Sequence, residues 1–181
     1  GTDSTGFYSK KNGLLKSADA GYDVAVSDET WDKIKPDNLF IGHVRAKTQG
    51  AVTKENAHPF QRGSVILAHN GTLTNFTDLK SKYDLKSTVP YEVDSDVLCG
   101  CIAKTGNLKP LGEINGAAAL LIHSTLEKFS DTMYIFRKSS NIESQRRPLF
   151  RGNIGPNVYI CSISEALKLI KCVNIKEFDE D

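Results

Sequence analysis

VILAHNGTLTNFTDLKSKY, residues 65–83, joins an apolar run, an Asn-Gly dipeptide and a helical repeat in one short stretch. Val65 to His69 reads as a buried strand, and Asn70-Gly71 ends it with a turn dipeptide that tolerates positive φ. From Thr74 to Tyr83 the apolar residues Phe76, Leu79 and Tyr83 are spaced by four and three, which is one face of a helix. A strand that stops at His-Asn-Gly just before a helix brings the Asn side-chain amide and the Gly backbone N–H to one spot. Two donors aimed together at a developing negative oxygen make an oxyanion hole. Asn-Gly is also the commonest hairpin turn, so the stretch alone supports either reading.

Working upstream, Leu39 to Arg45 (LFIGHVR) is a second buried-strand candidate, and it delivers Arg45 at its end within GHVRAKTQG, residues 42–50. A guanidinium so placed suits a carboxylate, to which its planar fork donates two parallel hydrogen bonds; a structural clamp on the loop is the alternative. His58 in NAHPF (56–60) reads as a loop organiser. Residues 22–26 alternate weakly and suggest a short strand, and Ser27 to Lys35 opens with capping residues and reads as a short helix.

Downstream, EVDSDVL (92–98) places Asp94, Ser95 and Asp96 where a helix begins, running through Val97, Leu98, Cys101 and Ile102 to Gly106. One of these carboxylates is expected to cap the helix. The functional reading turns Asp94 towards a pocket to bind an ammonium group, so that Arg45 and Asp94 together define an α-amino-acid site. Three strand-like runs follow, Ala117–His123, Thr132–Arg137 and Val158–Cys161, and suggest an antiparallel meander. Ser162 and Glu165 form a capping-box signature for a C-terminal helix. Strands and helices are segregated rather than alternating, which favours a layered α+β fold. No repeat or linker divides the chain, so residues 1–181 are expected to form a single domain.

Composition narrows the function classes. The chain has 181 residues and a formal net charge of +1, from 23 basic and 22 acidic side chains. That balance leaves no electrostatic footprint for nucleic acid or an anionic membrane. No apolar run approaches the ~20 residues of a membrane span, and the opening GTDSTGFYSKK lacks the apolar core of a signal peptide. Cys99, Cys101, Cys161 and Cys172 have neither disulfide-framework nor zinc-ligand spacing, and read as reduced thiols of a cytoplasmic protein without metal or cofactor.

In order and spacing, GHxRxxTxG, NAHPF, HNGxLxN and the VDSDVL segment together resemble the class II glutamine amidotransferases, among the N-terminal-nucleophile hydrolases. The opening GTDSTG resembles that family's RG-x-DS-x-G segment, and INGAAALLI, RRPLFRG (146–152) and ISEALKLIK resemble its later elements. The resemblance implies a four-layer αββα sandwich of two mostly antiparallel sheets. It implies that Arg45, helped by Thr48, holds the glutamine α-carboxylate, that Asp94 holds the α-ammonium, and that Asn70 and Gly71 form the oxyanion hole. His69 and His58 match family positions and read as architectural. Two departures stand in the pocket wall: Ala46-Lys47 where many members have an aromatic residue and Ala, and Gln49 where a His is usual.

Family chemistry uses an N-terminal Cys as nucleophile, its own α-amino group serving as base. That Cys and its strand precede the RG-x-DS-x-G segment, inside which this sequence begins. The expectation is therefore about 20–30 further residues ahead of Gly1, carrying the strand and its connection. The leading reading is a domain that hydrolyses glutamine to glutamate and ammonia and serves an ammonia-accepting synthase domain or chain. The alternative is a non-catalytic scaffold or interaction protein that keeps the fold.

Overall fold

The computed structural model describes residues 2–25, 27, 37–47, 50–85, 93–126, 132–139 and 146–179. Its ten strands form three antiparallel sheets. The first has the order β2 (Gly13–Ser17), β1 (Ser4–Ser9), β3 (Phe40–Arg45). The second has the order β4 (Phe60–Arg62), β5 (Val65–Leu73), β6 (Gly116–Ser124), β7 (Met133–Lys138). The third pairs β8 (Phe150–Ile154) with β9 (Asn157–Cys161) on one side and β10 (Val173–Glu177) on the other.

Alternation along the strands decides the layering. In the first sheet Tyr8 and Ile41 point inward and meet Ile66, Ala68, Leu121 and Met133 of the second. Thr5 and Val44 point outward, where helix α1 (Gly21–Ala25) packs closely: a Cβ on Gly21 would lie 2.3 Å from Val44 Cγ1. The other face of the second sheet sends Leu67, Leu73, Leu120 and Ile122 into helices α2 (Phe76–Lys82) and α3 (Asp94–Thr105). The order is helix, sheet, sheet, helix, the αββα sandwich that the resemblance implies. Helix α4 (Ser164–Leu169) packs on the third sheet through the buried Leu167.

Several local expectations need correction. Of the strand expected over residues 22–26, residues 22–25 belong to a helix instead, because α1 covers the outer face of the first sheet; residue 26 lies outside the described residues. The helix expected over Ser27 to Lys35 falls largely on residues outside the described set. The strand from Val65 does not stop at Asn70-Gly71; it continues to Leu73, with Asn70 opposite Ala119 and Gly71 opposite Ala118. The run ending at Cys161 is not part of the meander, since a tight Gly155-Pro156 turn folds it locally onto β8. Neither acidic helix start is capped by a side chain: Val93 and Ile163 stand at the N-caps of α3 and α4, so Ser162 is no capping residue. The α3 carboxylates are committed elsewhere.

Candidate active site

The site grows from the edge of β5. Backbone bonds from Thr125 N–H to the Ser64 carbonyl and from Thr74 N–H to the Asn115 carbonyl bracket the β5–β6 register. In an antiparallel ladder such bonds recur at every second residue, so even-numbered β5 residues bond β6 and odd-numbered N–H groups point the other way. Val65 and Leu67 meet β4 there, whose pairing ends at Phe60. Leu73 N–H is taken by Asp94 Oδ2 at 2.7 Å. Gly71 N–H lies between them, on a stretch of edge with no strand opposite among the described residues. Asn70 is exposed on the sheet-facing side. The two expected oxyanion donors therefore stand next to each other on a strand edge rather than in a turn.

Gly71 is also held to glycine by contact. Its φ is +155°, and a Cβ there would lie 2.1 Å from the Ala117 carbonyl oxygen and 2.6 Å from His69 Nε2. The loop that follows β5 is tied down by Asn75, whose side chain donates to the Glu113 carbonyl at 2.9 Å and accepts from Asn115 N–H at 2.8 Å.

Asp94 is the first residue of α3 and only 4% exposed. Besides Leu73 N–H, its carboxylate accepts from Ser95 N–H at 2.7 Å and Ser95 Oγ at 3.1 Å. Three donors satisfy charge that burial would otherwise leave costly. Asp96, two residues on and so on the opposite side of the helix, accepts two bonds from Arg62, at 2.8 Å and 2.5 Å, which pin the start of α3 to β4. Burial still pushes the Asp96 carboxyl above its usual range, against the pull of Arg62.

Arg45 closes β3 on the strand's inward face and is 4% exposed. Its Nη1 donates to the Ala51 carbonyl at 3.2 Å. The loop after it is fastened by Asp3, whose backbone N–H donates to the Arg45 carbonyl at 3.1 Å and whose carboxylate accepts from Lys47 N–H at 2.6 Å. Burial lowers the Arg45 pKa, while the Asp3 and Asp94 carboxylates oppose that shift. Thr48 and Gln49 lie outside the described residues.

These groups share one cavity of about 460 Å³, lined by Arg45, Ala46, Asn70, Gly71 and Asp94 among others. That volume is ordinary for a small-molecule site. Arg147, Leu149, Cys161 and Ile163 complete its far wall. The resemblance read RRPLFRG as a turn, and the local pattern read Cys161 as a strand end; neither reading marked them as pocket wall. Of the cysteines, only Cys161 reaches the cavity. Cys99 and Cys101 are buried on α3, and burial pushes the Cys101 thiol up to about 11 and the Cys99 thiol higher still, which makes both poor nucleophiles.

Three histidines line the same cavity. His43 and His58 stack with ring centroids 4.2 Å apart, and His69 Nδ1 lies 2.8 Å from Ser95 Oγ. Burial is the main cause that lowers all three pKa values, His43 to about 4 and His58 well below 6.5. The folded imidazoles thus stay neutral while unfolded ones protonate below pH 6.5. Below that pH the unfolded state binds more protons, so stability is lost as pH falls from about 6.5 towards 4. The His43 shift alone corresponds to about 3 kcal/mol. Urea midpoints measured from pH 7 to pH 4.5 are expected to fall, and to fall less steeply in His58→Phe. An unchanged slope in that variant would contradict the assignment.

Comparisons with known proteins bear on this geometry. The sequence family described as glutamine amidotransferases class-II matches residues 6–105. The amidophosphoribosyltransferase of Methanocaldococcus jannaschii is 30% identical over 160 residues, 78% of this chain and 32% of its own length. Glutamine–fructose-6-phosphate aminotransferase (isomerizing) of Lactococcus lactis subsp. lactis is 33% identical over 101 residues, 55% of this chain and 15% of its own. The solved structure of glutamine phosphoribosylpyrophosphate amidotransferase from B. subtilis, complexed with ADP and GMP, superposes with a TM-score of 0.75 at 25% identity. That superposition covers 99% of this chain and 40% of the other. The chain thus spans less than half the length of these relatives.

Proposed function

We infer that this chain, which belongs to the class II glutamine amidotransferases, forms over residues 1–181 one domain that hydrolyses the glutamine side-chain amide to glutamate and ammonia. The observation that carries this reading is the meeting of Arg45, Asp94 and the Asn70-Gly71 edge in one cavity. Arg45, oriented by the Ala51 carbonyl, binds the α-carboxylate with Thr48, and Asp94 binds the α-ammonium. The substrate's side chain then extends towards β5. A thiolate attacks the amide carbon, and Gly71 N–H and the Asn70 amide receive the oxygen that becomes negative. Collapse of the tetrahedral intermediate breaks the C–N bond. The departing nitrogen takes a proton from the nucleophile's α-ammonium and leaves as ammonia. Water hydrolyses the thioester to glutamate and restores the thiol.

The nucleophile in this proposal is an N-terminal Cys on a strand ahead of Gly1. Among the described residues β3 pairs only with β1, and β9 only with β8. Both strands border the cavity, through Gly42–Ala46 and Ile160–Cys161. A strand laid along either edge would bring its first residue into the cavity and pair backbone groups that have no strand partner among the described residues. The ammonia acceptor is proposed to be a synthase domain or a partner chain, since the relatives are more than twice as long as the part matched here. A cytoplasmic setting fits four free cysteines. No helix among the described residues is long and apolar enough to cross a membrane.

The test is equimolar release of glutamate and ammonia from L-glutamine by the full-length protein. No release from a protein whose residue 1 is Cys would select the alternative, a scaffold that keeps the fold and the amino-acid pocket. Faster turnover of an amide that lacks the α-carboxylate would instead mark a different amide hydrolase.

A further inference from the structure

Behind the two proposed subsites runs a continuous buried connection. Ser95 Oγ lies 3.1 Å from Asp94 Oδ1 and 2.8 Å from His69 Nδ1. The His69 ring continues to Gly71, where Nε2 sits so close under the backbone that a Cβ would approach it to 2.6 Å. His69 and Ser95 are 3% and 2% exposed, so neither touches solvent to any useful degree. On its other side the imidazole meets the Ala117 carbonyl, which lies with Nε2 under Gly71 and favours the protonated ring against burial. Ser95 O–H donates to Asp94 Oδ1, and the contact between Ser95 Oγ and His69 Nδ1 carries the connection on from the carboxylate to the imidazole.

We propose that Ser95 and His69 are positioning residues, forming a relay that fixes the ammonium-binding carboxylate and the oxyanion N–H at a set separation. The inference rests on the glutamine-site reading above and deepens it. Asp94 sits at the end of a helix and Gly71 on a strand edge; Leu73 N–H ties one carboxylate oxygen to that strand, and the orientation of the other oxygen is left to the side chains behind it. Ser95 supplies the link on the helix side, directing one carboxylate oxygen and leaving the other to Leu73 N–H. His69 supplies it on the strand side, filling the space under Gly71 that a Cβ would take. The relay acts through Asp94 and Gly71 and touches no reacting atom itself.

Equilibrium binding separates this role from a merely structural one, using two ligands that differ at the α-carbon. L-Glutamate carries the α-ammonium that Asp94 would hold; glutarate lacks it. On the full-length protein, calorimetry is expected to show L-glutamate bound about tenfold or more tightly than glutarate, in line with a charge-assisted hydrogen bond. In Ser95→Ala that preference is expected to shrink to within about threefold while glutarate affinity stays unchanged, and Ser95→Thr, which keeps the hydroxyl, is expected to restore it. An undiminished preference in Ser95→Ala overturns the relay. So does equal loss of both ligands, which would mean general disruption of the pocket. Failure of the wild-type protein to prefer L-glutamate would instead overturn the underlying site reading.

Discussion

Gly71→Ala is expected to destabilise the protein by about 1–3 kcal/mol, the usual range for overpacking, and to abolish glutamine hydrolysis. The new methyl would stand 2.1 Å from the Ala117 carbonyl oxygen and 2.6 Å from His69 Nε2. Neither neighbour has room to give. Ala117 lies opposite Thr72 in the β5–β6 ladder, and the His69 ring is braced by Ser95. Relief therefore has to come from β5 itself, which moves Gly71 N–H off its line into the cavity. Asn70 makes a useful contrast, since its side chain is exposed and its removal touches no packing. Asn70→Ala is expected to leave the urea midpoint unchanged and to lower kcat by about 10²–10³, the usual effect of losing one oxyanion donor. Midpoints and steady-state rates measured side by side check both. A Gly71→Ala protein of near wild-type activity would remove this edge from the oxyanion role.

Arg45→Ala is expected to weaken L-glutamate binding by about 100-fold or more, as loss of a buried, hydrogen-bonded charge partner commonly does. Arg45 is as buried as Asp94, whose charge supports the guanidinium across the cavity. Removing the guanidinium leaves the substrate carboxylate facing a desolvated wall and Asp94 without its neighbour. Arg45→Lys is expected to recover little, because an ammonium cannot offer the paired donors of the planar fork. Calorimetry with L-glutamate reads the effect directly. Affinity within about threefold of wild type would place the carboxylate site elsewhere.

The sequence made the layered α+β class legible through segregated elements, and the ends of β3, α3 and β6 through local pattern. Gly106, in the left-handed conformation with its N–H on the Ile102 carbonyl at 2.9 Å, ends α3 where a helix-stopping glycine was expected. Local pattern failed where distant partners decide. Asn70-Gly71 has the chemistry of a turn, yet nine residues of β6 pair along β5 and carry the strand through it. Asp94 and Ser95 look like capping residues, but Leu73 and His69, on another element, claim them first. The far wall, with Arg147 and Cys161, was illegible because it arises from a separate sheet folding over the cavity. Family resemblance, not periodicity, brought Arg45, Asn70, Gly71 and Asp94 together, and all four line one cavity. Thr48 lies outside the described residues.

The most direct test of the proposed chemistry is to treat full-length protein with a glutamine-mimicking electrophile and locate the adduct by peptide mass spectrometry. The account predicts one adduct per chain, on an N-terminal Cys ahead of Gly1, suppressed by L-glutamine and lost in Arg45→Ala. An adduct on Cys161, or none on a protein that carries the N-terminal Cys, would contradict it.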